Sequence, residues 1–196
     1  MYSINKITTS ELIIKNSRFI TILVPITSKP NINNILSKIK EQYPKANHYC
    51  YAYITEDSQK SSDDKEPSST AGIPMLNVLI KNKIINVLAV TVRYFGGIKL
   101  GAGGLVRAYS KSVTTAIKNT NLIELEEAIE IEIYIEYTNQ KNLENILKES
   151  KIIEKEFTDK IRYIIIIPIS FKEKLKTYNY KILNEKCYLE KYEYKS

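Results

Sequence analysis

Ile84–Val92 (IINVLAVTV), Arg93–Gly104 (RYFGGIKLGAGG) and Leu105–Asn119 (LVRAYSKSVTTAIKN) follow one another without a break. The first piece is almost continuously apolar at strand length, the pattern of a central strand buried on both faces. The third has helical periodicity. Val106, Tyr109, Val113 and Ile117 recur at i, i+3, i+7 and i+11 and should face a core. Arg107, Lys111, Thr114 and Lys118 run along the neighbouring face. Between strand and helix, five of the chain's six glycines fall within Gly96–Gly104. That density predicts a backbone needing positive φ or close approach by another group. A glycine turn opening a helix presents unpaired N–H groups at the positive end of the helix dipole, which favours phosphate or carboxylate.

On the N-terminal side, Glu11–Lys15 and Arg18–Val24 read as paired strands. Pro30–Tyr43 reads as an amphipathic helix with Ile32, Ile35, Leu36 and Ile39 inward. His48–Thr55 alternates, with Tyr49, Tyr51 and Tyr53 on one face and His48, Cys50, Ala52 and Ile54 on the other. Glu56–Ser69 reads as an acidic, polar, mobile loop and Ile73–Asn82 as a helix. The join falls near Thr120–Ala128. Beyond it, AIEIEIYIEY (Ala128–Tyr137) is a half-buried strand, and Asn139–Ser150 is a helix carrying Leu143, Ile146 and Leu147. Lys151–Thr158 and Ile161–Ile169 form a hairpin about Asp159-Lys160. Phe171–Leu183 is read as a helix and Cys187–Tyr194 as a strand. The order β-α-β-β-α-β is the ferredoxin-like split βαβ. The fold class is therefore α+β in two domains, 1–124 and 125–196.

No apolar run approaches membrane-span length, and the first residues lack a basic-then-apolar signal pattern. Cys50 and Cys187 make neither a disulfide framework nor a metal quartet, so a cytoplasmic location is expected. The net charge of +7 is lopsided. Residues 1–125 hold 16 Lys and Arg against 8 Asp and Glu, a net +8, and no acid lies between Pro67 and Ile123. The excess points to a polyanionic partner at the first domain.

Known nucleotide loops fail. Gly96 and Gly101 are not followed by Gly-Lys-Ser/Thr, and Val106 stands where GxGxxG needs its last glycine. Asp63-Asp64-Lys65-Glu66 has the composition of a Mg²⁺ or acid–base cluster, but such a run more commonly forms an exposed loop. His48 is the sole histidine, no nucleophile motif surrounds Ser68, Ser69 or Ser110, and Cys50 reads as a small buried residue. Tyr49, Tyr51 and Tyr53 suit either base stacking or sheet packing. No catalytic set, metal or cofactor is expected.

His48–Tyr53 (HYCYAY), Asp64–Pro74 (DKEPSSTAGIP) and Val92–Tyr109 (VRYFGGIKLGAGGLVRAY) closely resemble the YigZ/IMPACT family, and the likeness extends over the whole chain. The middle block departs from the family pattern, with Lys65 and Ser69 standing where glycines are usual. The resemblance implies a first domain like domain 2 of ribosomal protein S5, followed by a ferredoxin-like domain. The translocation elongation factor carries the same two folds in the same order. Eukaryotic members act on an amino-acid-starvation kinase pathway through an added N-terminal domain. This chain starts at the first family domain, so that partnership is not carried over. For bacterial members the resemblance implies nucleic-acid or ribosome association.

The expectation is a non-enzymatic, ribosome-associated, RNA-binding protein that influences translation. Gly101, Gly103 and Gly104 would meet phosphate, Arg93, Lys99, Arg107 and Lys111 would supply charge, and His48 and Tyr94 would touch base or sugar. The alternatives are an enzyme taking a nucleotide or phosphorylated metabolite at the glycine loop, or a regulator that binds a protein partner through the ferredoxin-like domain.

Overall fold

The computed structural model describes residues 1–26 and 31–191. They divide into one unit from Met1 to Ile123 and a second beginning at Glu124. The first unit runs β1 (Tyr2–Ser3), β2 (Thr8–Ile14), β3 (Ser17–Pro25), α1 (Ile32–Gln42), β4 (His48–Ile54), β5 (Gln59–Ser62), α2 (Gly72–Lys81), β6 (Val87–Tyr94) and α3 (Ala102–Lys118). Five strands form an antiparallel sheet in the order β2-β3-β6-β4-β5. The Pro30 start expected for α1 lies outside the described residues.

Strand alternation divides this sheet between two cores. Tyr49, Tyr53, Leu88, Val90 and Val92 face α1, and Cys50, Ala52, Val87 and Ala89 face α2 and α3. β6 is therefore buried on both sides, as its continuous apolar run demands. It starts at Val87 rather than Ile84. Lys83 (φ 55°) and Asn86 (φ 59°) hold the preceding residues in a left-handed turn, where Tyr2 N donates to the Lys83 carbonyl at 2.9 Å.

α3 is rotated from the expected stripe. Leu105, Ala108, Tyr109, Ser112, Val113, Ala116 and Ile117 are buried, and Val106 is exposed. A hydroxyl network fixes this rotation: Thr21 Oγ1 lies 2.8 Å from Thr91 Oγ1 and 2.5 Å from Ser112 Oγ, all three side chains fully enclosed. Those hydroxyls need one another, since burying them unpaired costs about 1–3 kcal/mol each. Tyr109 meets Phe19 edge-on, with ring centroids 5.2 Å apart.

The second unit contains β7 (Ile123–Ile135), α4 (Gln140–Ile146), β8 (Lys151–Phe157), β9 (Ile161–Pro168) and β10 (Tyr180–Glu190). Its strands pair antiparallel in the order β10-β7-β9-β8. Ile129, Ile131, Ile133 and Ile135 of β7 pack on Leu143 and Leu147, the alternation read from AIEIEIYIEY. The helix expected over Phe171–Leu183 does not form. Only a 3₁₀ turn, Ile169–Lys172, stands there, and Tyr180–Ile182 pair with Ile131–Ile133 of β7. Phe171 and Leu175 keep the helical i, i+4 spacing and are both buried, but the long edge of β7 recruits the residues beyond them. Tertiary pairing overrides local propensity here. The last strand's expected end, 192–194, lies outside the described residues.

Candidate nucleic-acid interface

The acidic segment after β5 is the largest departure from expectation. It is an ordered clasp, not a free surface loop. Asp63 Oδ1 accepts from Ala71 N (2.9 Å) and Gly72 N (2.8 Å), and Oδ2 accepts from Ser69 N (2.8 Å). Ala71, the residue that caps α2, has no side-chain cap hydrogen bond of its own. Asp63 thus satisfies N–H groups at the positive end of that helix. Asp64 Oδ2 accepts from Tyr49 N at 2.6 Å. Lys65 (φ 69°) and Ser69 (φ 62°) adopt left-handed conformations without being glycine. The hydrogen bonds of the clasp hold that strain in place.

Glu66 turns inward from this clasp and is 8% exposed. Its Oε1 accepts from Arg93 Nη1 at 2.5 Å and from Tyr109 OH at 2.8 Å, and His48 Nε2 stands 3.8 Å away. Arg93, 5% exposed, also donates through Nη2 to Ser17 Oγ at 3.4 Å. His48 lies opposite Arg93 in the β4–β6 register. Its Nδ1 is 2.8 Å from the Asp64 carbonyl oxygen, which can only accept, so Nδ1 carries the proton.

These groups border a cavity of about 360 Å³, closed on its other side by Phe95, Lys99, Leu100 and Gly101. Gly101 precedes α3 with φ 69° and ψ 166°, a conformation open essentially only to glycine. No side chain caps α3, so its first N–H groups remain available.

The structure therefore brings His48, Arg93, Lys99 and Gly101 to one cavity. Gly103 and Gly104 form the first turn of α3. Arg107 and Lys111 continue along it, exposed and without an ion pair among the described residues. Tyr94 is not brought to the cavity. It packs on the α1 core, with its hydroxyl donating to the Pro44 carbonyl at 3.1 Å. Arg93 holds no free charge, because Glu66 neutralises it.

Glu66 and Tyr109 were not expected at the site. The available signal was Arg93 itself, at the end of an apolar strand. A buried guanidinium demands a carboxylate, and the only acids between β4 and β6 lie in 56–66. Burial pushes the Cys50 thiol up to about 12, despite a hydrogen bond to Tyr109, so it stays protonated and inert. Among the described residues, no three His, Cys, Asp or Glu side chains gather around a common metal position.

Asp63 supplies a pH test. Burial pushes its carboxyl up, but the Gly72, Ser69 and Ala71 N–H groups together leave it below the ordinary value. A depressed folded value means the stabilisation is present above the unfolded value, near pH 4, and lost as pH falls through the folded one. Asp63→Asn should cost about 1–2 kcal/mol at pH 7. In urea titrations, that difference should vanish well below pH 4.

A family model described as the Impact N-terminal domain matches residues 15–117. The chain is 42% identical over 149 residues to the IMPACT family member YvyE of Bacillus subtilis, covering 74% of this chain and 69% of that one. It is 34% identical over 162 residues to the family member YigZ of Escherichia coli, covering 79% of each. The crystal structure of a hypothetical protein superposes with a TM-score of 0.67 at 28% identity, covering 93% of this chain and 96% of that one. The matched span contains the clasp, the cavity and most of α3, and on these grounds the chain belongs to the IMPACT family.

Proposed function

We propose that this is a non-enzymatic, cytoplasmic protein that binds RNA or the ribosome and influences translation, gripping the phosphate backbone along α3. The observation that carries this reading is the set of exposed cations Lys99, Arg107, Lys111 and Lys118, with no carboxylate against any of them among the described residues. In the second unit, by contrast, acids and bases engage one another. Arg162 meets Glu132, Glu154 and Glu156, and Lys155 meets Glu144. Unpaired cations on one helix, beside uncapped N–H groups, suit a polyanion contacted through phosphate without sequence readout.

The same reading takes the first unit as the ribosomal protein S5 domain 2-like domain and the second as ferredoxin-like. The strand order β10-β7-β9-β8 supports the latter, with its second helix shrunk to one 3₁₀ turn. No helix among the described residues is long and apolar enough to cross a membrane.

Titration of structured ribosomal RNA fragments at several salt concentrations tests the proposal. The Arg107→Ala/Lys111→Ala double variant should weaken binding at least about tenfold at low salt, and should flatten the slope of log affinity against log salt by about 1.5. Undetectable binding at low salt, or an unchanged slope in the variant, rejects it.

A further inference from the structure

We propose that the cavity beside the glycine turn receives a single nucleotide. Its phosphate lies against Lys99 and the first N–H groups of α3, and an amine-bearing base is read by Glu66 and His48. The proposal rests on the RNA reading only for where the nucleotide comes from. One wall of the cavity presents the Glu66 carboxylate and the His48 ring. Glu66 Oε1 is occupied by Arg93 and Tyr109, but Oε2 has no hydrogen-bond partner among the described residues, on a side chain that is 3% exposed and lines the cavity. His48 stands beside it, Nε2 3.8 Å from Glu66 Oε1, with the ring oriented by the Asp64 carbonyl. The Glu66 carboxylate lines the cavity and can only accept, so the fitting ligand brings N–H groups.

The opposite wall has the reverse character. Lys99, the glycine at the helix start and the uncapped N–H groups want an anion. An inorganic anion alone satisfies only that wall and leaves the carboxylate unanswered. Between the two polar ends lie Pro67, Phe95, Leu100 and Leu105, an apolar lining that suits a flat ring. One molecule with a phosphate, a flat apolar body and an amine edge meets all three requirements. A cavity of about 360 Å³ is large enough for one nucleotide. Adenine, cytosine and guanine carry the exocyclic amine, and uracil does not.

The test is calorimetric titration of the full chain with AMP, CMP, GMP, UMP, ribose 5-phosphate and inorganic phosphate. The three amine-bearing nucleotides should bind at least about tenfold more tightly than the other three ligands. His48→Phe and the exposed-site variant Lys99→Glu should each weaken AMP binding about tenfold or more, with unchanged melting temperatures confirming an intact fold. Competition between AMP and single-stranded RNA would assign the nucleotide to the strand, and its absence to the free pool. Equal binding of all six ligands, no binding of any, or AMP binding unaffected by both His48→Phe and Lys99→Glu overturns the proposal. RNA binding that persists without mononucleotide binding would sink this inference alone and leave the α3 reading standing. The converse result would do the opposite.

Discussion

Glu66→Ala should destabilise the first unit by about 3–5 kcal/mol, measured by urea unfolding. The magnitude comes from the groups that the substitution leaves behind. Arg93 and Tyr109 both donate to the one oxygen Oε1. Arg93 is 5% exposed and Tyr109 is fully buried. Without Glu66, an always-charged guanidinium sits in a low-dielectric pocket whose only other side-chain hydrogen bond among the described residues is a 3.4 Å contact to Ser17 Oγ. Arg93 Nε is already buried without a partner, so the group has no reserve. Phe19 and Phe95 lie 5.4 and 5.6 Å from the guanidinium carbon, and their faces compensate only in part. Removing both charges is a different experiment. Glu66→Met with Arg93→Met should recover most of the loss, because a buried pair is expensive to break but roughly neutral to replace. A single-variant cost below about 1 kcal/mol, or a double variant equal to the sum of the singles, would show the pair to be solvated and the burial argument wrong.

That ion pair also shows where the sequence is readable and where it is not. Periodicity is local, so His48–Ile54 displays its two faces in its own residues, and the strand–glycine turn–helix over 84–119 could be placed from its residues alone. The pairing of residues 66 and 93 is not local. Its two members belong to different segments, and an acidic run reads the same whether it is solvated or folded inward. Lys65 and Ser69 made the loop harder still. Their left-handed backbone is the one glycine would announce, and here the Asp63 and Asp64 hydrogen bonds enforce it instead. The absent helix over Phe171–Leu183 fails for a related reason. Its fate depends on a partner distant in sequence, since Tyr180–Ile182 join Ile131–Ile133 of β7 and no local period announces that pairing. The cavity was legible only from one side: the glycine and cation wall could be read, but the carboxylate and imidazole wall could not be joined to it.

Gly96→Ala should cost about 3 kcal/mol or more and should be the most damaging alanine substitution in the glycine turn. A Cβ at this position would stand 2.0 Å from the Asn16 carbonyl carbon, 2.1 Å from its oxygen and 2.4 Å from Ser17 N. All three are backbone atoms, so no rotamer change relieves the clash. They also belong to the two-residue turn Lys15-Asn16, both at positive φ, which fixes the β2–β3 register from Ile14↔Ser17 onward. Gly96 N donates to Ser17 Oγ at 3.2 Å, the same hydroxyl that Arg93 Nη2 reaches. Displacing the turn therefore loosens the Arg93 anchor and shifts Lys99 and Gly101 at the cavity mouth. Gly103→Ala supplies the contrast. Gly103 lies in the first turn of α3, and the only nearby atom is the flexible Arg107 Nη1 at 3.6 Å. There alanine should stabilise by about 0.5 kcal/mol, because it restrains the unfolded chain and fits a helical backbone. Opposite signs at these two glycines would establish close backbone approach as the reason for Gly96. Comparable small effects at both would mean that the hairpin yields to the extra methyl group, and that the glycine turn is not held by the β2–β3 turn at all.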